Sequence, residues 1–152
     1  TPTECVTGAA PIIRAGVLAE LGGFDESLFL YWEDVDLSAR ATARGYRVGV
    51  WTGLVVSHDE GGTSSRSGEH SAVYYEHMSR NRIIVSKRLG ASLRALLIGQ
   101  GLKETVRLGF VLPIRERTGR VTKTLASVRG LIEGVRVVGA ATRKQARWRA
   151  SA

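Results

Sequence analysis

The chain has 152 residues, the length of one domain or of one domain with an appendage, and is 43% hydrophobic and 24% charged with 18 Gly and 3 Pro. That composition excludes collagen-like, disulfide-dense and wholly disordered chains; a single cysteine, Cys5, can form no internal disulfide and fits a reducing compartment. No apolar run approaches the ~20 residues of a membrane-spanning helix, and the formal charge of +8 is unevenly divided. Residues 1–84 carry 7 Lys/Arg against 11 Asp/Glu (net −4), and residues 85–152 carry 15 against 3 (net +12). Such asymmetry points to two jobs, with the second half drawn to an anionic surface.

Residues 4–10 (ECVTGAA) read as a short strand ending in small residues. A helix is predicted from Arg14 to Leu21, with Val17, Leu18 and Leu21 on one side and Gly22 at its end. An aromatic-rich loop with Phe29, Tyr31 and Trp32 follows. A second helix is predicted to begin near Asp34, where acidic residues suit the first turn, and to stop at Gly45. Residues 46–50 and 54–57 read as strands broken at Thr52-Gly53, with His58 at the end of the second. The Gly/Ser-rich stretch after His58 reads as a mobile loop. A helix over about 70–88 carries Val73, Tyr74, His77, Asn81, Ile84 and Val85 at helical spacing and ends at Gly90. Further helices are predicted over about 91–109 and 119–138, separated by Pro113; the latter has the stripe Val121, Leu125, Val128, Ile132, Val135.

Chemistry is concentrated at Trp32-Glu33-Asp34 and Asp36. Carboxylates this close repel one another, and a carboxylate at a loop-to-helix junction can reach a bound hydroxyl. The same residues also fit an ordinary acidic helix start with solvated side chains, and a lone His58 at a strand end fits a surface or packing residue.

The blocks GAAPIIR (8–14), GGFDESLFLYWEDVDLSARATARGYRV (22–48), His58 and YYEHMSRNR (74–82) together resemble the C-terminal half of the catalytic domain of family 2 glycosyltransferases, in particular bacterial rhamnosyltransferase-like members. The resemblance implies an α/β chain: residues 1–89 as the C-terminal portion of a GT-A (Rossmann-like) domain, and 90–152 as a basic, amphipathic helical extension. It implies an inverting transfer from a nucleotide-sugar donor, with rhamnose the family-level sugar, to a glycan or polyprenyl-linked acceptor of the cell envelope. Asp34 is then the base, Glu33 its neighbour at the acceptor and Trp32 a platform for a sugar ring. His58 would hold a divalent metal, Mn²⁺ or Mg²⁺, with imidazole leaning toward manganese. The loop after His58 would cover the donor as a lid. Arg66, Arg80 and Arg82 would contact the diphosphate.

The family's nucleotide-binding half and aspartate-rich metal motif have no counterpart before residue 8, and the chain opens on Thr1. The expectation is a fragment that works with a separate nucleotide-binding half. Its place would be cytoplasmic, peripheral on the inner face of the membrane, where basic segments meet anionic lipid. Two other readings compete with it. One is a non-catalytic remnant that docks on a membrane or partner. The other is a basic nucleic-acid-binding module, disfavoured because Trp148 is the only Trp or Tyr in the basic half.

Overall fold

A computed structural model describes residues 1–58 and 69–150. The chain forms two compact units, Thr1–Gly61 and Gly62–Ala152. This division precedes the expected one at 89/90, because the helix over 72–88 packs with the basic half.

In the first unit, α1 (Ala15–Leu21) ends as its sequence dictates. Gly22 takes φ 77°, and the N–H groups of Gly22 and Gly23 close back on the carbonyls of Ala19 and Leu18. A 3₁₀ turn at Glu26–Leu28 is opened by Asp25, whose side chain accepts from Ser27 N–H at 2.9 Å. Helix α2 (Glu33–Ala43) follows, and Gly45 at φ 82° turns the chain out of it. Leu21, Leu37 and Ala41 form the core, with Ile13, Val17, Leu18, Tyr46 and Val48 packed around them. Arg40 joins the two helices. Its Nε donates to buried Asp36 at 2.7 Å, and its other two nitrogens donate to the carbonyls of Leu21 and Gly23 at 2.7 and 2.9 Å. One guanidinium thus serves the free carbonyl end of α1 and the buried carboxylate of α2 together.

The strands expected at 4–10, 46–50 and 54–57 are absent among the described residues. The chain start pairs instead with the segment after α2 through an antiparallel Pro2–Gly49 bridge, with Thr3 N–H on Val48 O at 3.1 Å and Val50 N–H on Thr1 O at 2.8 Å. Alternating apolar residues mark a strand face, but a ladder needs neighbours that supply its partners. Without them Val50, Trp51, Leu54, Val55 and Val56 are exposed.

The second unit is helical: α3 (Ala72–Arg88), α4 (Leu93–Leu97), α5 (Gly99–Val106), a π-helical segment (Arg107–Val111), α6 (Leu112–Arg115) and α7 (Arg120–Ala150). Pro113 does not divide helices as expected. It sits in the first turn of α6, where its missing N–H is tolerated. The widened π turn spans Gly109, the residue whose carbonyl the proline ring would otherwise crowd. The break comes later, at Gly119 with φ 62°.

Helices α3 and α7 pack closely, with small residues of α7 set against the backbone of α3 and the Ile83 side chain. A Cβ on Gly130 would overlap the Glu76 carbonyl, and one on Gly134 would come within 2.7 Å of the Arg80 carbonyl oxygen. The two pairs advance together along both helices, so α7 runs parallel to α3. Buried Ser79 and Ser127 join hydroxyls at 2.6 Å across the seam, and Ala126 and Val138 of α7 are buried as well. At one end of this seam the buried Glu116 carboxylate accepts from Tyr75 Oη at 2.6 Å, His70 N–H at 3.2 Å and Lys123 Nζ at 3.2 Å. Burial alone would raise this carboxyl, but the donors outweigh it and hold it below its ordinary value. Glu69 is held low as well, first by the Thr118 hydroxyl at 2.6 Å.

Candidate functional site

The Trp32-Glu33-Asp34 junction belongs to the first unit and is built on an unusual backbone. Phe29, Tyr31 and Trp32 have φ of 57°, 65° and 73°. Bulky residues avoid this region because Cβ crowds the backbone, and each such residue costs on the order of 1–3 kcal/mol. Three in four positions, immediately before α2, turn the chain so that Trp32 caps the helix in a left-handed conformation. Glu33, Asp34 and Asp36 then occupy the first turn, where the free N–H groups favour negative charge.

Asp34 is anchored from two sides. Its Oδ1 accepts from Val35 N–H at 2.8 Å and its Oδ2 from Gly8 N–H at 2.9 Å. One turn on, Ser38 Oγ accepts from Val6 N–H at 3.3 Å. Four residues of helix rise about 6 Å and two residues of extended chain about 6.6 Å. Asp34 and Ser38 therefore match the spacing of Val6 and Gly8 and clamp that segment to α2. A Cβ on Gly8 would lie 3.6 Å from Asp34 Cβ and 3.7 Å from Glu33 Oε1, so this loop runs against both carboxylates.

Trp32 Nε1 and Glu33 Oε2 are buried and have no hydrogen-bond partner among the described residues. Such atoms are rare, because desolvation without a partner costs roughly 1–3 kcal/mol each. A donor and an acceptor beside an anchored carboxylate form a set that hydroxyl groups of a ligand can satisfy. Asp36 does a different job, holding Arg40 as described. Val6, Ile13, Val17, Leu37, Ser38 and Val48 are among the residues lining a groove of about 490 Å³ whose surface is polar and apolar in equal part.

Other expected site residues are placed differently. His58 is exposed, and no three His, Cys, Asp or Glu side chains gather among the described residues. Arg66 and the loop expected to act as a lid lie outside the described residues. Arg80 and Arg82 belong to the helical unit. Arg80 Nε pairs with Glu133 at 2.8 Å, and Arg82 is buried, donating to Thr105 Oγ1 and the Gly101 carbonyl, each at 2.8 Å. Burial pushes the Arg82 guanidinium down from its ordinary value. In the structure both arginines serve packing within their own unit. Sequence reasoning missed Gly8, Ser38 and Arg40. Only Arg40 had a local sign, its four-residue spacing from Asp36.

The chain is similar over half its length to glycosyltransferases. Two curated relatives, both named N-acetylglucosaminyl-diphospho-decaprenol L-rhamnosyltransferase and both from Mycobacterium tuberculosis (strains CDC 1551 / Oshkosh and ATCC 25618 / H37Rv), are 32% identical over 76 residues. The match covers 49% of this chain and 25% of each relative. No family model and no solved structure matches.

Proposed function

We propose that the first unit is the acceptor-side portion of an inverting sugar transferase of the GT-A class, acting on a lipid-linked glycan. The observation that carries this reading is the pair of buried, unpartnered atoms, Trp32 Nε1 and Glu33 Oε2, beside the anchored carboxylate of Asp34. A sugar presents hydroxyls that both accept and donate, which suits this pair. The indole face of Trp32 offers a flat apolar surface to a pyranose ring.

In the proposed reaction a hydroxyl of the acceptor sugar lies against Asp34. Asp34 takes the hydroxyl proton as that oxygen bonds to the anomeric carbon of the donor sugar, and the bond from that carbon to the nucleoside diphosphate breaks on the opposite face. The anomeric configuration inverts, and the diphosphate leaves with the bonding electron pair. Gly8 N–H and Val35 N–H keep the base in one orientation, which spares reorganisation at the moment of proton transfer. The similarity to the two rhamnosyltransferases supports rhamnose as the sugar and an N-acetylglucosaminyl-diphospho-polyprenol as the acceptor class. The chain spans about a quarter of their length, so the donor-binding groups are assigned here to no residue of this chain.

The test is rhamnosyl transfer from a nucleoside-diphosphate rhamnose to N-acetylglucosaminyl-diphospho-polyprenol, with Asp34→Asn compared with the native sequence in the complete enzyme. Loss of a general base is expected to lower transfer by ~10²–10⁴-fold. Retention of more than about a tenth of the rate removes Asp34 from that role. A second arm measures acceptor binding by Trp fluorescence in the 152-residue chain. A change that vanishes in Trp32→Phe supports the acceptor site, and one that persists in it overturns Trp32 as the platform.

A further inference from the structure

The helical unit buries Tyr75, Ile83, Ile84, Val85, Leu96 and Leu108, yet turns a row of apolar residues outward on α7. At about 100° per residue, Val121, Leu125, Ile132 and Val135 form one stripe along α7, on either side of the half-buried Val128. Ser127, Gly130 and Gly134, which meet α3, and the buried Ala126 and Val138 fall on the opposite side. The stripe residues are 73%, 60%, 47% and 47% exposed, whereas Ala126 and Ser127 are fully buried. In a water-facing bundle the pattern is reversed, with the apolar stripe inward and polar residues outside. Small residues at a helix seam with large apolar residues facing out is the arrangement of helices whose outer solvent is lipid. The pattern recurs on a second run in the unit: Ile98, Leu102, Val106, Phe110 and Ile114, at four-residue steps, are all exposed.

Charge identifies the occupant. Arg129 and Arg136 border the α7 stripe and are exposed, Arg129 reaching Glu76 only at 3.9 Å. Lys103, Arg107 and Arg115 accompany the second run. The sole carboxylate of α7, Glu133, is already paired with Arg80. A second copy seated stripe on stripe would bring its arginines against these. A nucleic acid would use the cations and leave the apolar stripe in water. An anionic bilayer uses both.

We infer that the helical unit docks on an anionic membrane surface through the outer face of α7, which lies in the interfacial plane with Val121, Leu125, Ile132 and Val135 entering the acyl boundary and Arg129 and Arg136 on headgroup phosphates. No described helix is long and apolar enough to cross a membrane. The inference stands on the geometry of the second unit and does not need the sugar-transfer reading.

The test is co-sedimentation of the full 152-residue chain with vesicles of phosphatidylcholine alone and of phosphatidylcholine mixed with phosphatidylglycerol. Binding is expected only to the anionic vesicles, and to fall as salt shortens the reach of the charges. The double variant Leu125→Ser/Ile132→Ser alters exposed positions only, so its circular dichroism should match the native chain while its vesicle affinity falls roughly tenfold or more. Arg129→Gln/Arg136→Gln should lower affinity by about tenfold or more at low salt. Equal sedimentation with neutral and anionic vesicles overturns the inference. So does an unchanged affinity in Leu125→Ser/Ile132→Ser, which assigns binding to charge alone and leaves a nucleic acid as the better partner. A native chain that dimerises in solution through this stripe, read by analytical ultracentrifugation of the same variant, overturns it in favour of self-association. None of these outcomes involves sugar transfer, so they fail independently of the Asp34 assay.

Discussion

The two units leave opposite things unsatisfied. Around Asp34 the first unit holds a strained turn of three aromatic residues at positive φ and buries a donor and an acceptor without partners. Along the α3–α7 seam the second unit joins serines, a carboxylate and cations at short distances, and leaves Val121, Leu125, Ile132 and Val135 of α7 outside. Unsatisfied polar atoms in a folded interior are costly unless a polar ligand completes them, and an exposed apolar stripe is costly unless an apolar phase covers it. Each unit therefore points to its own kind of partner, a hydroxyl-rich molecule for the first and a bilayer for the second. The difference also tells where substitutions act. In the first unit, changes near the site should alter function with little loss of stability, whereas changes in the seam should unfold the second.

Gly130→Val is the sharpest way to break that contrast. A side chain at Gly130 meets the backbone carbonyl of Glu76, which cannot swing aside as a long side chain could. Overpacking of this kind costs about 1–3 kcal/mol, and the β-branched side chain also fits helical χ1 poorly. Thermal melts followed at 222 nm should show the helical unit losing stability by that order. A melting temperature equal to the native one would mean that α7 does not seat on α3 at Gly130.

Much of this was legible in the sequence where the signal was local. Gly22 and Gly45 ended α1 and α2 as expected, because only a residue free of Cβ takes the left-handed exit cheaply. Helix α3 and the existence of the α7 stripe were legible from spacing, and the Trp32-Glu33-Asp34 junction from its clustered types. The rest depends on contacts distant in sequence. Nothing in Arg82 signals that it will be buried against Thr105 and Gly101. Gly8 reaches Asp34 across 26 residues. The backbone of Phe29, Tyr31 and Trp32 contradicts their own preferences, so no propensity could reveal it. Periodicity marked the α7 stripe as apolar without saying whether it faced core or solvent. Gly130 and Gly134, four apart, held that answer, since they let α3 approach on the other side.

Acid should separate the units in a milder way. The Glu116 carboxyl sits below its ordinary value of 4.5, and Glu69 is lowered in the same direction. A depressed carboxylate adds stability that is complete above about pH 4.5 and is lost as pH falls through its folded value. Denaturant melts should therefore place the helical unit on a plateau near neutrality and show it weakening on acidification. Glu116→Gln should lower the plateau and flatten the acid dependence, because the group that takes up the proton is gone. If the slope is undiminished in Glu116→Gln, other carboxylates govern acid unfolding and the buried network is incidental to it.

Phe29→Gly should have the smallest effect, and its sign is the informative part. Phe29 is 75% exposed and holds φ 57°, ψ −55°, a conformation that glycine adopts without the Cβ penalty. Glycine also gains more freedom in the unfolded chain, which offsets part of the relief by roughly 0.5–1 kcal/mol. Strain of on the order of 1–3 kcal/mol still outweighs that term. The first unit should therefore become slightly more stable, by about 1 kcal/mol or less, in a chemical melt read through Trp emission. If the turn is held for the sake of the junction, the same variant should loosen Trp32 and Glu33 and weaken acceptor binding even as stability rises. A stabilised variant with undiminished binding would assign the strain to packing of the loop alone. A destabilised one would mean that the Phe29 side chain contributes more by its contacts than its backbone costs.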